Sequence, residues 1–227
     1  MLRPVVVLAT MLVIACSQQT LTTNTGSDSA TKSSIVAPLA EQWSQLLEQI
    51  RREEASRIET DLVLGDDEVS ALVGMKHLKA VVLPHAAVSD RAAEALATLD
   101  SLEELVLGNT KISDRGLEML VHLHSLRNLN LNDSRVTDRG VEHLAGLPRL
   151  ELLRLGRSDI TDNGLAAIGR IGSLRFLLLQ NARITGRGFK NLHGLKNLES
   201  LYLQGNPLTG DGEEELRRAL PKLHPDW

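Results

Sequence analysis

The feature that most constrains this chain is a period of 24 residues. Units begin at Leu78, Leu102, Leu126, Leu150, Leu174 and Leu198. Each follows the frame L-x-x-L-x-L-x-x-x-x-[IVL]-[ST]-[DG]-x-[GA]. The apolar positions of that frame are filled in every unit, so that Leu126, Leu129, Leu131 and Val136 correspond to Leu150, Leu153, Leu155 and Ile160. Internal repetition of this length makes each unit one supersecondary element that cannot bury its apolar face alone. In L-x-x-L-x-L the last two leucines alternate with outward-facing residues, which is the period of a strand. The later part, such as GLEMLVHL, places Leu117, Leu120 and Leu123 at helical spacing. A strand followed by a helix at every period stacks as a right-handed coil with a parallel sheet on one side. Six such coils at about 4.8 Å per strand predict a sheet roughly 25–30 Å long.

These residues resemble the leucine-rich repeat family over the stretch from Leu78 to Leu223, in the 24-residue T-D-x-G-L form met in F-box-type and bacterial repeat proteins. The resemblance implies an α/β leucine-rich-repeat solenoid, with the parallel sheet on the concave face and helices on the convex face. One column departs from the family pattern. The asparagine or cysteine position holds Ala86, Thr110, Ser134, Ser158, Ala182 and Asn206. The hydroxyls can still bond the buried loop backbone, whereas the coils of Ala86 and Ala182 are expected to be more loosely tied.

A second column carries aspartate: Asp90, Asp114, Asp138 and Asp162, each after Ser89, Ser113, Thr137 or Thr161. Stacked carboxylates about 5 Å apart could share a calcium ion. The same residues suit a helix start, where the hydroxyl caps orphan N–H groups and the aspartate sits at the positive helix end. In the last two units the aspartate becomes Gly186 and Gly210 while the hydroxyl stays, which is the behaviour of a cap. Gly116, Gly140, Gly164, Gly188 and Gly212 follow two residues on, where a missing side chain lets neighbouring coils approach. The reading is therefore capping, with no metal and no cofactor.

The ends of the array are atypical, as capping units are. Residues 38–77 are read as an N-terminal capping helix and a degenerate repeat. Leu39, Trp43, Leu46, Leu47 and Ile50 fall at helical spacing behind Pro38. This helix either covers the open end of the array or docks another protein through Trp43. The degenerate repeat DLVLGDDEVSALVGMKHL is expected to place its strand at Leu62 and Leu64 and its helix at Val69, Leu72 and Met75. Residues 78–227 are read as six repeats with a C-terminal cap, closed by Leu220 and Leu223 where the chain meets Pro221 and Pro225.

Before residue 38 the chain reads as an export signal and tether. Arg3 precedes the apolar run Val5 to Ile14, interrupted only by Thr10. Ten residues of helix reach about 15 Å, too short to span a bilayer but suited to a secretory signal. The segment Val13-Ile14-Ala15-Cys16 resembles a bacterial lipobox, which implies cleavage after residue 15 and acylation of Cys16; the alternative is an ordinary secretory signal with an incidental cysteine. Acyl chains would anchor the protein stably in the envelope. Ser17 after the cysteine implies the outer membrane by the sorting rule of some Gram-negative lipoproteins. Residues 17–37 are rich in Ser, Thr, Asn and Gln and read as a flexible tether, about 25 Å in root-mean-square span.

Composition excludes several functions. The net charge is −4, with no basic excess to follow a phosphate backbone, so nucleic acid is not an expected partner. Cys16 is the single cysteine, so the acylated chain would have neither disulfide nor thiol nucleophile. The seven histidines are scattered; His122 and His124 form an H-x-H pair without a third ligand at suitable spacing. No G-x-S-x-G or P-loop is present. The chain is therefore read as a non-enzymatic, monomeric protein-binding module.

The resemblance puts function on the concave face, whose outward positions are the third and fifth of each unit. The third reads Ala80, Glu104, Asn128, Leu152, Phe176, Ser200, and the fifth Val82, Val106, Asn130, Arg154, Leu178, Tyr202. Asn128, Asn130, Asn132 and Asp133 make a polar half. Leu152, Phe176, Leu178 and Tyr202 make an apolar half rimmed by Arg154 and Arg157. Such a composition fits an interaction hot spot for a protein partner; it equally fits residues that favour strands. A structural envelope protein that self-associates is the alternative function, and a ubiquitin-ligase-type adaptor a weaker one, since no F-box or catalytic domain is evident.

Overall fold

In the computed structural model the described residues are 38–52 and 55–223. The signal, Cys16 and tether readings lie outside them, as do Pro225 and the last residues of the proposed C-terminal cap.

Seven strands of three residues each form a single parallel sheet in sequence order. They are β1 (Arg57–Glu59), β2 (Ala80–Val82), β3 (Glu104–Val106), β4 (Asn128–Asn130), β5 (Leu152–Arg154), β6 (Phe176–Leu178) and β7 (Ser200–Tyr202). The register pairs each residue with the one a period later, so that Leu105 faces Leu129 and Leu129 faces Leu153. The central residue of every strand points into the core; Ile58, Val81, Leu105, Leu129, Leu153 and Leu177 are fully buried. This is the alternation of a half-buried strand imposed identically on every coil.

Helices return the chain on the opposite side. They are α1 (Leu39–Arg51), α2 (Asp66–Ser70), α3 (Asp90–Leu96), α4 (Asp114–Leu120), α5 (Asp138–Leu144), α6 (Gly164–Ile168) and α7 (Gly210–Ala219), with a 3₁₀ helix at Phe189–Gly194 in the sixth position. Sheet and helices enclose one continuous hydrophobic core. At its open N-terminal end α1 inserts Trp43, Leu47 and Ile50, all buried. At the other end Leu220 is buried and Leu223 packs partly against the core.

The first coil corrects the sequence reading. Its strand is Arg57–Glu59, not Leu62 and Leu64, and Ile58 takes the leucine column opposite Val81. Leu64 instead occupies the place of Val88: Ala87 N donates to the Leu64 carbonyl at 2.7 Å, as Lys111 N donates to Val88 at 2.8 Å. Leu62-x-Leu64 imitates the paired strand leucines, while Ile58 stands alone between charged neighbours. Only pairing with β2 distinguishes the two.

The aspartate column does more than cap its own helix. Each carboxylate clamps the next coil with both oxygens. In Asp114, Oδ1 accepts from the Thr137 N–H at 2.7 Å and Oδ2 accepts from the Thr137 hydroxyl at 2.7 Å. Asp90 grips Ser113, and Asp138 grips Thr161, in the same way. The column also begins one coil earlier, because Asp66 clamps Ser89. The clamped hydroxyls of Ser89, Ser113 and Thr137 then cap their own helices, as when Thr137 Oγ1 accepts from the Arg139 N–H at 3.3 Å. The glycine column makes room for the clamp: a Cβ on Gly140 would lie 2.4 Å from Asp114 Oδ1.

The buried polar column behaves differently from expectation at two places. Thr110 and Ser158 donate to the carbonyls of Leu107 and Leu155, but the Ser134 hydroxyl has no partner among the described residues. The coil of Ala182 is not loosely tied. Asn206 from the next coil donates to its Leu179 carbonyl at 2.7 Å and accepts from its Ile184 N–H at 3.0 Å.

A tight turn after each strand from β3 to β7 puts Asn109, Asp133, Arg157, Asn181 and Gly205 in the left-handed region, the non-glycines at φ of 55–57°. Asparagine, aspartate and glycine tolerate this conformation, but arginine does so at a cost of about 1 kcal/mol. Arg157→Gly should therefore raise the unfolding free energy by about 0.5–1 kcal/mol in urea titration, since the exposed contact it gives up with Asp133 is weak.

Candidate functional site

The third and fifth positions of every unit are the outer residues of each strand, so the sheet lays the two columns side by side. Leu152 pairs with Phe176, and Phe176 with Ser200; Arg154 pairs with Leu178, and Leu178 with Tyr202. Leu152, Phe176 and Leu178 are half-buried, and Tyr202 is 37% exposed. The sheet thus brings Leu152, Arg154, Phe176, Leu178 and Tyr202 onto one face. Arg157 lies beyond the strand, on the left-handed turn, where its guanidinium reaches Asp133 at 3.5 Å.

Charge is woven into this apolar half. The Arg175 guanidinium stands 5.4 Å from the centroid of the Phe176 ring, within cation–π range. Arg154 Nε is buried without a hydrogen-bond acceptor among the described residues. A charged donor left unpaired in a partly desolvated setting favours any ligand that supplies an acceptor.

The polar half is occupied with holding the scaffold. Asn130 Oδ1 accepts from the Asn132 N–H at 3.1 Å, and Asn132 Oδ1 accepts from the Gly156 N–H at 2.8 Å. Further toward the N-terminus, Arg57 reaches across the small Ala80 to Glu104 and also pairs with Glu59. Burial opposes its charge, but the bonds to Glu104 and Glu59 outweigh it and hold the guanidinium above its ordinary pKa.

Sequence reasoning missed a third column. The second position of each unit reads Lys79, Glu103, Arg127, Glu151, Arg175, Glu199, alternating in sign. Lys79 pairs with Glu103 at 2.8 Å, Arg127 with Glu151, and Arg175 with both Glu151 and Glu199. The signal was legible by reading one column down the repeats rather than along the chain. A groove of about 680 Å³ opens beside it, between Arg127, Arg149, Glu151, Ser173, Arg175 and Glu199. Much of its charge is already spent in the ladder.

Family models agree with this architecture. A model described as Leucine Rich repeat matches residues 100–121, 122–145 and 148–169, and a second of the same description matches residues 197–219. The chain is a leucine-rich-repeat solenoid. Among solved structures it resembles an internalin, inlF, from Listeria monocytogenes, with a TM-score of 0.62 at 19% identity. That alignment covers 79% of this chain and 49% of the internalin, so the solenoid spans about half that protein's length. An internalin C2 from the same organism aligns with a TM-score of 0.55 at 19% identity, over 75% of this chain and 84% of that one. At these identities the likeness is one of fold. No curated protein matches the chain in sequence. The fold is one that serves as a protein-binding module, and a shallow sheet suits a macromolecule better than a small molecule.

Proposed function

We propose that this solenoid is an exported, lipid-anchored protein without catalytic activity that captures a protein partner through the C-terminal half of its concave face. The observation that carries the reading is the convergence on one face of Leu152, Phe176, Leu178 and Tyr202 with the unpaired Nε of Arg154. Aromatic and arginine anchors on a rigid platform lose little entropy on binding and dominate interface energies. The apolar run ending at Cys16 supports export and acylation, and an acylated Cys16 would hold the solenoid at the outer membrane on the tether of residues 17–37.

Crosslinked capture from envelope membranes tests the binding reading. Phe176→Ala with Tyr202→Ala should weaken capture of the partner at least roughly 30-fold, from two hot-spot truncations of about 2 kcal/mol, even with strong non-additivity. The thermal midpoint should fall only slightly, because neither side chain belongs to the fully buried core. Undiminished capture, or a collapsed fold, would defeat the reading. The mass of the mature N-terminus tests the anchor separately: acyl chains on Cys16 are expected, and an unmodified residue 16 would remove it.

A further inference from the structure

Among the described residues, the outward positions of β4 to β7 hold one charged side chain, Arg154. The others are amides on β4 and aliphatic, aromatic or hydroxyl side chains on β5 to β7. Arg154 is half-buried, and its Nε is shut off from solvent with no acceptor. The charges bordering this part of the face are matched by partners of their own. Asp133 pairs with Arg157, Glu151 with Arg127, and Glu199 with Arg175. Glu104, the nearest acid in the outward columns, is held by Arg57. It lies two strands from β5, or about 10 Å. These acids keep their charge, but each brings a cation with it, so no net negative charge borders Arg154.

A second donor stands beside it. Asn130 pairs with Arg154 in the register of β4 and β5. Its Oδ1 accepts from the Asn132 N–H at 3.1 Å, which fixes the amide and turns Nδ2 the other way. That NH2 group has no acceptor among the described residues. With strands about 4.8 Å apart, a guanidinium and an amide occupy one small area of the face, both donors and neither satisfied. A carboxylate has two acceptor oxygens and serves both at once. Its single charge also matches the single cation, whereas a phosphate monoester brings nearly two. The other flank of Arg154 is apolar: Leu178 is its partner in β6, and Tyr202 follows in β7.

We infer that the partner presents an extended segment whose aspartate or glutamate seats its carboxylate on Arg154 and Asn130, with an apolar or aromatic side chain on Phe176 and Tyr202. This rests on the concave-face reading above and names the chemistry of its partner. Charge complementarity selects the acid, and the apolar flank selects its neighbour. An extended segment returns to the same face every second residue, about 6.6 Å along the chain. Phe176 lies one strand beyond Arg154 and two residues back in register, a comparable separation. The acid and the apolar residue are therefore expected two positions apart. A side-chain carboxylate inside a segment, not a chain end, fits a face that continues past Arg154 on both sides, to the amides of β4 and to Tyr202.

The test pans a random-peptide display library against the full chain carrying Cys16→Ser, which cannot be acylated. The peptides are fused through their C-termini, so only side-chain carboxylates are presented. The chain should enrich Asp or Glu two positions from Phe, Tyr, Trp or Leu. Arg154→Gln should still enrich the apolar residue but lose the preference for acid. Phe176→Ala with Tyr202→Ala should abolish both. A selected peptide, synthesised with a blocked C-terminus, should bind about tenfold more weakly once its acid is changed to the amide. Against Arg154→Gln the same change should matter little, which isolates the pair. Arg157→Gln, whose cation is already paired with Asp133, should behave as the parent chain. An acid-free peptide with a free C-terminus should not recover the lost affinity; recovery would overturn the assignment to a side chain. Enrichment of apolar residues alone would overturn the carboxylate site and leave the concave-face reading standing. Enrichment indifferent to Phe176 and Tyr202, or none at all, would sink both. Circular dichroism verifies that each variant is folded. If Arg154→Gln is not, Arg154→Lys replaces it; losing the planar fork but not the charge, it should retain a reduced preference for acid.

Discussion

Asp162→Ala should lower the unfolding free energy by about 2–4 kcal/mol, because it removes the most heavily used clamp in the solenoid and strands its donors. Asp162 accepts from the Thr185 hydroxyl at 2.5 Å, from the Thr185 and Gly186 N–H groups at 3.1 Å each, and from the Gly188 N–H at 3.0 Å. These donors are partly buried between coils, and alanine offers them nothing. The same bonds set a pH signature. Burial by itself would raise the Asp162 carboxyl, but the bonds from Thr185, Gly188 and Gly186 outweigh it and lower its pKa below 3.8. Asp66 is lowered likewise, burial being outweighed by the bonds from Ser89. A folded-state pKa below the unfolded value means stability that is complete above about pH 4 and lost as pH falls through the folded value. Wild type should therefore lose stability in acid, and Asp162→Asn should show a shallower loss, its urea midpoint differing less between about pH 7 and pH 3. An Asn variant as stable as wild type at neutral pH would show that the carboxylate charge contributes nothing.

Phe189→Ala should cost about 3–5 kcal/mol, measured by urea or thermal unfolding. Phe189 is fully buried at the start of the 3₁₀ helix, in the column held by Leu117, Val141 and Leu165 in earlier coils. Its ring lies beneath the only two coils in which the aspartate gives way to glycine. A Cβ on Gly186 would fall 2.6 Å from the Gly212 Cα and 3.3 Å from the Phe189 ring, and Gly186 itself has φ of +101°. No clamp fits there, so at the start of their helices the sixth and seventh coils are joined by the Thr209 contacts to the Thr185 carbonyl and by packing around Phe189. Removing the ring empties the one place where packing stands in for the carboxylate. Phe189→Leu, which keeps most of the volume, should cost clearly less. Equal losses for the two variants would show that the ring does not fill this junction.

Much of the architecture was legible because a repeat multiplies every local signal. A single L-x-x-L-x-L is ambiguous, but six in step leave one solution, and the register of all strands from β2 onward follows from the period. The apolar concave half was legible for the same reason, since positions three and five must face outward together. Ile58 was not legible, because the first coil carries one residue fewer before Leu64 and its leucine column is reduced to one isoleucine among charges.

What the sequence alone determined is which residues share a column, and therefore the core, the strand faces and the sites of hydroxyl, aspartate and glycine. Only the tertiary structure decided what each column bonds to. A period relates a residue to its equivalents but does not say whether its side chain turns toward its own coil or the next. Asp114 could cap α4 or grip Thr137, and the 2.7 Å bonds to both the amide and hydroxyl of Thr137 settle the choice. The same holds for charge. Alternation of sign is written in the sequence, but pairing depends on reach across the coil spacing, which joins Lys79 to Glu103 and Arg175 to both Glu151 and Glu199.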